Sequence, residues 1–487
     1  MGSGRGGLGA RSSRHLLGAH GKLNELNGIH PGHDPLSTGD AFELPAPNGW
    51  TMAERDPLST FAVDVDTASY THVRRQLRDG HVVEPQAVRV EEMVNYFRYD
   101  YPAPTQDDFA VHLEAAQSPF EPGLKLLRVG LKAREPAEKD RKPIHLTFLV
   151  DVSGSMQGTD RLPLAKRSLR FLVDSLKPSD TVALCTYAGR VQRVLGPTPA
   201  RERDRIHAGI EGLSAGGSTA MSSGLELAYS LAWESRVDGE ESREVVLSDG
   251  DANVGRTAHG DMLESIAYYS DRGVTLSTIG FGVGNYKGSR MEQLANKGNG
   301  NAYYIDSFDE ARRIFGEKIA GTLRVMARDT KVQVEFDPAS VAKYRLVGYE
   351  NRDVADEDFR NDKVDAGEVG LGHEVTAVYE VDLREPSPGW AKVRLRWKSE
   401  AGGPATERVF PLDPAQDRAE FSQVSKSFAR AVAVAALGEN LRKSPFAESW
   451  TLQAGKRIAE ASLDKERPDE LELLELYGIA TAELAHR

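Results

Sequence analysis

Two rhythms of apolar residues alternate along this chain, and each marks a different kind of element. The first rhythm is mixed and short. Phe61 to Asp66 alternates as a strand, and Thr67 to Asp79 reads as a helix capped by Thr67 or Ser69. Residues 88–97 (VRVEEMVNYF) form a second amphipathic helix with Val90, Met93, Val94 and Phe97 on one side. Phe109, Val111 and Leu113 then alternate with polar neighbours, as do Leu127, Val129 and Leu131. The Pro122-Gly123 pair turns one of these strands toward the other, and residues 136–143 form a polar linker.

Next the pattern thickens. Leu146 to Val150 is a dense apolar strand, followed by a helix with Leu169, Leu172, Val173 and Leu176 at helical spacing. Strand Thr181 to Tyr187, helices near 203–213 and 219–236, and strand Glu244 to Ser248 continue the series. Helix 260–272, strand Val274 to Ile279, strand Ala302 to Ile305 and helix 308–325 complete it. Strands that alternate with helices and are apolar on both faces predict a parallel sheet covered by helices on both sides. The binding crevice of such a sheet lies at the carboxyl ends of its strands.

After residue 326 the period returns to two. Val332, Val334 and Phe336 alternate, as do Val375, Ala377, Tyr379 and Val381, and then Val393, Leu395 and Trp397. This is the pattern of a half-buried antiparallel sheet, a sandwich. Residues 413–487 finish as helices, with Phe421, Val424 and Phe428 on one face. The period-two strands on either side of the α/β region fit one sandwich with an inserted domain, or two separate β units. The expected boundaries are a flexible tail at 1–48, an N-terminal region at 49–135 and an α/β domain at 140–325. A β-sandwich region at 326–412 and a helical region at 413–487 follow. The fold class is thus α/β, doubly wound with a mostly parallel sheet, flanked by or inserted into a β-sandwich, with helices at the end.

Composition narrows the function. A net charge of -12 without a basic stripe argues against nucleic acid as a partner. No run approaches ~18 apolar residues, so no transmembrane helix is expected. The start of the chain lacks the apolar segment of a signal peptide, which points to the cytoplasm; a truncated start would place the same protein in the periplasm or on the cell surface. The lone cysteine, Cys185, excludes a disulfide framework and reads as an inert core thiol. His15, His20, His30 and His33 match no metal spacing and read as solvated tail residues.

Three segments carry chemistry. The first dense strand runs into Asp151-Val152-Ser153-Gly154-Ser155; Gly216-Gly217-Ser218-Thr219-Ala220 precedes a helix; Leu247-Ser248-Asp249-Gly250-Asp251 ends another strand. All three fall on the carboxyl edge of the sheet and can converge there. They offer hard oxygen donors, which suit Mg²⁺, Ca²⁺ or Mn²⁺ rather than zinc or copper. A cation among mostly neutral hydroxyls keeps much of its charge and an open position, and so attracts a carboxylate from a partner. Asp249-x-Asp251-x-Asn253 resembles the opening of an EF-hand loop, but Val254 stands at the glycine position and Gly260 at the twelfth, so that pattern fails. Asp64 and Asp66 read as a solvated turn and helix cap.

Asp151-x-Ser153-x-Ser155 with Thr219 and Asp249 resembles the metal-ion-dependent adhesion site (MIDAS) of von Willebrand factor type A (vWA) domains. The flanks (PLSTFAVDVDTASYTHVRR, YRLVGYENR, LGHEVTAVYEV) resemble regions that surround this domain in bacterial vWA proteins. The resemblance implies that Ser153 and Ser155 bind the metal directly, Thr219 and Asp249 directly or through water, and Asp151 through water. Gly154, Gly217, Ser218, Gly250, Asp251 and Asn253 would form the rim. The expected function is a non-enzymatic module in which Mg²⁺ engages an Asp or Glu of a protein partner. The alternatives are a metal-assisted hydrolase, for which His259 is the only histidine within reach in sequence to serve as base, and a scaffold in which the metal only stabilises the fold. No G-x-S-x-G, P-loop or H-E-x-x-H segment supports another enzyme class.

Overall fold

The computed structural model describes residues 46–63, 66–135, 142–218, 221–250, 256–282, 288–317, 325–364, 366–385, 387–399, 403–462, 464 and 466–485. Before the α/β region stand β1 (Thr51–Met52), β2 (Leu58–Ala62), α1 (Ala68–Arg78), α2 (Val90–Tyr96), β3 (Phe109–Gln117) and β4 (Leu124–Ala133). Here the local pattern needs two corrections. Thr67 does precede α1, but its side chain makes no cap bond; the Ser69 backbone N–H instead donates to Glu92, and the Ser69 hydroxyl donates to the Ala87 carbonyl. Asp66 is buried rather than solvated, and it accepts from the Ala302 backbone N–H and from Arg352. A lone acid before a helix looks like a cap in sequence. Its true partners lie more than two hundred residues away. Asp64 and the tail histidines lie outside the described residues.

The α/β region contains β5 (Ile144–Asp151), α3 (Leu162–Ser175), β6 (Thr181–Tyr187), β7 (Val191–Pro199), α4 (Arg203–Glu211), α5 (Met221–Ser235) and β8 (Glu241–Ser248). It continues with α6 (Arg256–Ser270), β9 (Val274–Phe281), α7 (Gly288–Lys297), β10 (Ala302–Ile305) and α8 (Phe308–Arg312). The helix expected over 308–325 gives way after Arg312 to a wider π-type turn at Arg313–Glu317. The sheet order is β10-β9-β8-β5-β6-β7, parallel throughout except for β7, which pairs antiparallel with β6. Leu146, Phe148 and Val150 of β5 face a core with Leu169, Leu172 and Val173 of α3. Leu149 faces the other way, toward Cys185, Val246 and the α5 residues Leu225 and Tyr229. Helices therefore cover both faces, and the sheet is doubly wound. The chain order reverses between β5 and β8, so the switch point of the sheet lies between the strand ends that carry Asp151 and Asp249.

The flanking strands resolve into two sheets. β11 (Val325–Phe336), β12 (Val341–Val347), β13 (Gly367–Gly370), β14 (Glu374–Leu383), β15 (Ala391–Lys398), β16 (Ala405–Pro411) and β17 (Asp417–Arg418) follow the α/β region. One sheet runs β1-β12-β14-β4-β3-β17, the other β13-β11-β15-β16 with β2 also on β11. β4 pairs antiparallel with β14, Val129 opposite Ala377, so strands from before and after the α/β region share one sheet. Val129 and Tyr379 from this sheet meet Val334 and Val393 from the other in one core. The α/β region is thus inserted into a single sandwich, the first of the two arrangements the strand pattern allowed.

Helices α9 (Lys426–Leu441), α10 (Leu452–Ser462) and α11 (Pro468–Ala485) end the chain. Phe421 and Val424 precede α9 in a short 3-10 turn rather than lying on it. These helices bury Phe428, Trp450 and Tyr477 against Tyr70 and Val90 of α1 and α2. No helix among the described residues is long and apolar enough to cross a membrane.

Candidate metal centre

β5 is buried along its whole length and ends at Asp151, where the backbone turns away from the sheet. Three contacts fix that turn. The Val152 N–H donates to the Tyr187 carbonyl at 3.0 Å, and the Gly216 N–H donates to the Val152 carbonyl at 2.7 Å. The Gly154 N–H donates to the Gly217 carbonyl at 3.1 Å. The first two candidate segments are thereby laced together. Gly217 has φ +98°, and a Cβ there would fall 3.0 Å from the Gly189 backbone nitrogen, so only glycine suits both the angle and the space.

The side chains converge as the spacing required. The Ser153 N–H donates to Asp151 Oδ1 at 2.8 Å, while Ser248 Oγ donates to Asp151 Oδ2 at 3.0 Å. Ser248 Oγ in turn accepts from the Gly250 N–H at 3.0 Å, which ties the third segment to the first. Ser153 Oγ and Ser155 Oγ lie 2.9 Å apart. Asp249 stands beside this group, with Oδ2 3.4 Å from Arg161 Nη1. Asp151 and Asp249 are 0% and 1% exposed, whereas Gly154, Gly217 and Ser218 are exposed. The result is a graded site: carboxylates form the floor, the Ser153 and Ser155 hydroxyls stand next to them, and a glycine-serine rim faces solvent. Burial pushes the Asp151 carboxyl above its ordinary value; bonds from Ser153 oppose that shift and the Asp249 charge adds to it.

Of the eleven residues expected here, Asp151, Ser153, Gly154, Ser155, Gly217, Ser218, Asp249 and Gly250 are brought to one edge. Thr219, Asp251 and Asn253 lie outside the described residues. So does the side chain of His259, on α6. Two residues were missed. In the sequence Ser248 reads only as a strand end, although its place two positions beyond Val246 puts it on the Asp151 side of the sheet. Arg161 has no motif signal; only its proximity in sequence to Asp151 hints at a role.

The donor set fits a hard divalent ion. It holds two adjacent, buried carboxylates with uncharged hydroxyls beside them, and one guanidinium to offset two negative charges. Among the described residues no group of three or more His, Cys, Asp or Glu side chains gathers to hold a metal.

Comparison with known proteins identifies the family of this chain. The family model described as von Willebrand factor type A domain matches residues 145–317, one described as von Willebrand factor matches 37–128, and one described as the C-terminal part of YfbK matches 321–388 and 383–481. YfbK of Escherichia coli (strain K12) is 36% identical over 454 residues, spanning 87% of this chain and 78% of that protein. The protein sll0103 of Synechocystis is 26% identical over 294 residues, 59% of this chain and 69% of its own. A von Willebrand factor type A structure from Catenulispora acidiphila covers 79% of this chain and 98% of its own, with 17% identity and a TM-score of 0.46. vWA domains commonly mediate protein–protein interaction, often with a divalent metal. The α/β region, both flanks and the extent of the match to YfbK all lead to one assignment: this chain belongs to the bacterial vWA domain proteins of the YfbK type.

Proposed function

We propose that this chain is a non-enzymatic, metal-dependent protein-binding module. Ser153, Ser155, Thr219 and Asp249 would hold a divalent ion, Mg²⁺ in the cell, with Asp151 acting through water. The ion supplies positive charge with an open position for an Asp or Glu of a protein partner. One observation carries this reading: two buried carboxylates lie at the switch point of the sheet, with hydroxyls and an open rim next to them. The chain's own residues do the positioning. The Ser153 N–H and Ser248 Oγ hold the two oxygens of Asp151, and the Gly154–Gly217 bond keeps the rim loops together. We read residues 140–325 as the module, and 49–135 with 326–487 as the mount that presents it.

The test is calorimetric titration of Mg²⁺ and Mn²⁺ into chelator-stripped protein, beside Asp151→Ala. Wild type should show saturable uptake. The variant should bind about 10–100-fold more weakly, as expected for a residue that orients ligands from behind, while its circular dichroism stays unchanged. If wild type takes up neither ion, even with a glutamate-bearing peptide added, the reading fails.

A further inference from the structure

Arg161 lies outside all three segments that build the crest, yet its guanidinium reaches into it. Nη1 is 3.4 Å from Asp249 Oδ2, and the same nitrogen donates to the Ser155 carbonyl. Its side chain is 18% exposed, so solvent screens the charge only in part. The berth is shaped for it. Gly282 has φ +76°, and a Cβ there would overlap the guanidinium stem; a Cβ on Gly158 would come within 3.3 Å of Arg161 Cδ.

The backbone of Arg161 is equally fixed. Its N–H donates to the Gly158 carbonyl at 3.1 Å, and its carbonyl accepts from the Ala165 N–H at 2.8 Å, starting helix α3. Its neighbour Asp160 is held from outside the module by Arg75 of α1, Nη2 to Oδ2 at 3.1 Å. The arginine is therefore a placed charge rather than a surface side chain that happens to fall nearby.

Charge counting gives it a role. Among the described residues Asp151 and Asp249 bring two negative charges, and Arg161 brings one positive. A divalent ion added to these three leaves them with one net positive charge, which a single carboxylate closes to zero. Without Arg161 the two acids and the ion would already be neutral. We propose that Arg161 is a resident counter-cation: it competes with the divalent ion for Asp249, and it leaves the loaded crest positive toward a partner's carboxylate. This rests on the metal-site reading above and assigns Arg161 as a positioning and specificity residue within it.

The two roles move in opposite directions, which a purely structural arginine would not do. Mn²⁺ is titrated calorimetrically into chelator-stripped wild type, Arg161→Gln and Arg161→Lys. Each Mn²⁺-loaded protein is then titrated with the capped peptide acetyl-Gly-Glu-Gly-amide, with the Gln peptide as control. Arg161→Gln should bind Mn²⁺ about tenfold more tightly and the Glu peptide several-fold more weakly, while Arg161→Lys restores both toward wild type. Mn²⁺ affinity that is unchanged or weaker in Arg161→Gln overturns the inference and leaves the metal site standing. Absence of Mn²⁺ uptake by wild type, with the Glu peptide present as well as without it, removes the metal site itself, and the inference falls with it. If Arg161→Gln does not fold, Arg161→Met keeps the stem and is read the same way.

Discussion

At the seam between α1 and the end of the α/β module, acids are buried among arginines; at the crest, they are buried mainly among hydroxyls and backbone N–H groups. Asp306 and Glu310 both receive Arg74, and Glu310 also receives Arg313 and the Tyr96 hydroxyl. Burial by itself would raise the Glu310 carboxyl, but Arg313 and Arg74 outweigh it and hold it below the usual carboxylate range. Asp151 is as deeply buried and has no arginine on it among the described residues; its carboxyl is pushed the other way. The seam is electrostatically complete, so it reads as a structural joint. Among the described residues of the crest two acids face one guanidinium, and the proposed cation would meet that excess of negative charge.

The sharpest way to break this comparison is at the seam. Arg74 is almost wholly buried and also meets Glu472 of α11 at 3.0 Å, so one side chain serves α1, α8 and α11 together. Arg74→Ala strands Asp306, Glu310 and Glu472 without their shared partner. The expected loss is about 3–5 kcal/mol of unfolding free energy, read as a lower urea midpoint. A loss below ~1 kcal/mol would mean the seam behaves like a surface ion pair and the contrast with the crest is empty.

Glu244 sharpens the contrast from a third direction, because it is buried and neither of its carboxyl oxygens has a hydrogen-bond partner among the described residues. It sits on β8 opposite Thr147 of β5, under α5. Burial drives its carboxyl well above the ordinary value. The sign follows from proton linkage. A raised folded-state pKa contributes stability that is complete below the unfolded value and is lost as pH rises toward the folded one. The protein should therefore weaken as pH rises above the usual carboxylate range, and Glu244→Gln should remove that slope, a difference of about 1–3 kcal/mol on the alkaline side. Parallel pH–stability curves for wild type and variant would show that Glu244 carries no such linkage.

The same contrast explains what could be read from sequence. The doubly wound sheet was legible because β5, β6 and β8 are apolar on both faces, and most of the crest was legible because its donors are packed into three short segments at strand ends. β7 was not, since Gly196, Pro197 and Pro199 look like turn residues; they are tolerated because the strand lies at the sheet edge. β12 hid for a different reason. Tyr344 and Leu346 face the sandwich core while Arg345, buried against Glu380, takes the opposite face, but a register shift between Val341 and Lys343 breaks the alternation ahead of them. The seam was invisible because Arg74 finds its partners 232 and 398 residues further along. No local pattern encodes contacts at that range.

The smallest predicted effect tests the crest without any metal. Asp249→Asn removes one of two adjacent buried carboxylates, and the neighbouring charge is one of the causes that raise Asp151. Losing a like charge favours the fold, while losing the 3.4 Å contact with Arg161 disfavours it. Arg161 keeps its bond to the Ser155 carbonyl, so it is not stranded. The two terms should cancel to within ~0.5 kcal/mol in chelator. Glu310→Gln is the matching change at the seam. It leaves Arg313 and Arg74 facing a neutral amide, and should cost several times as much by the same denaturant titration. If Asp249→Asn proves as damaging as Glu310→Gln, the crest acid is a structural element like the seam acids, and its excess charge no longer argues for a cation.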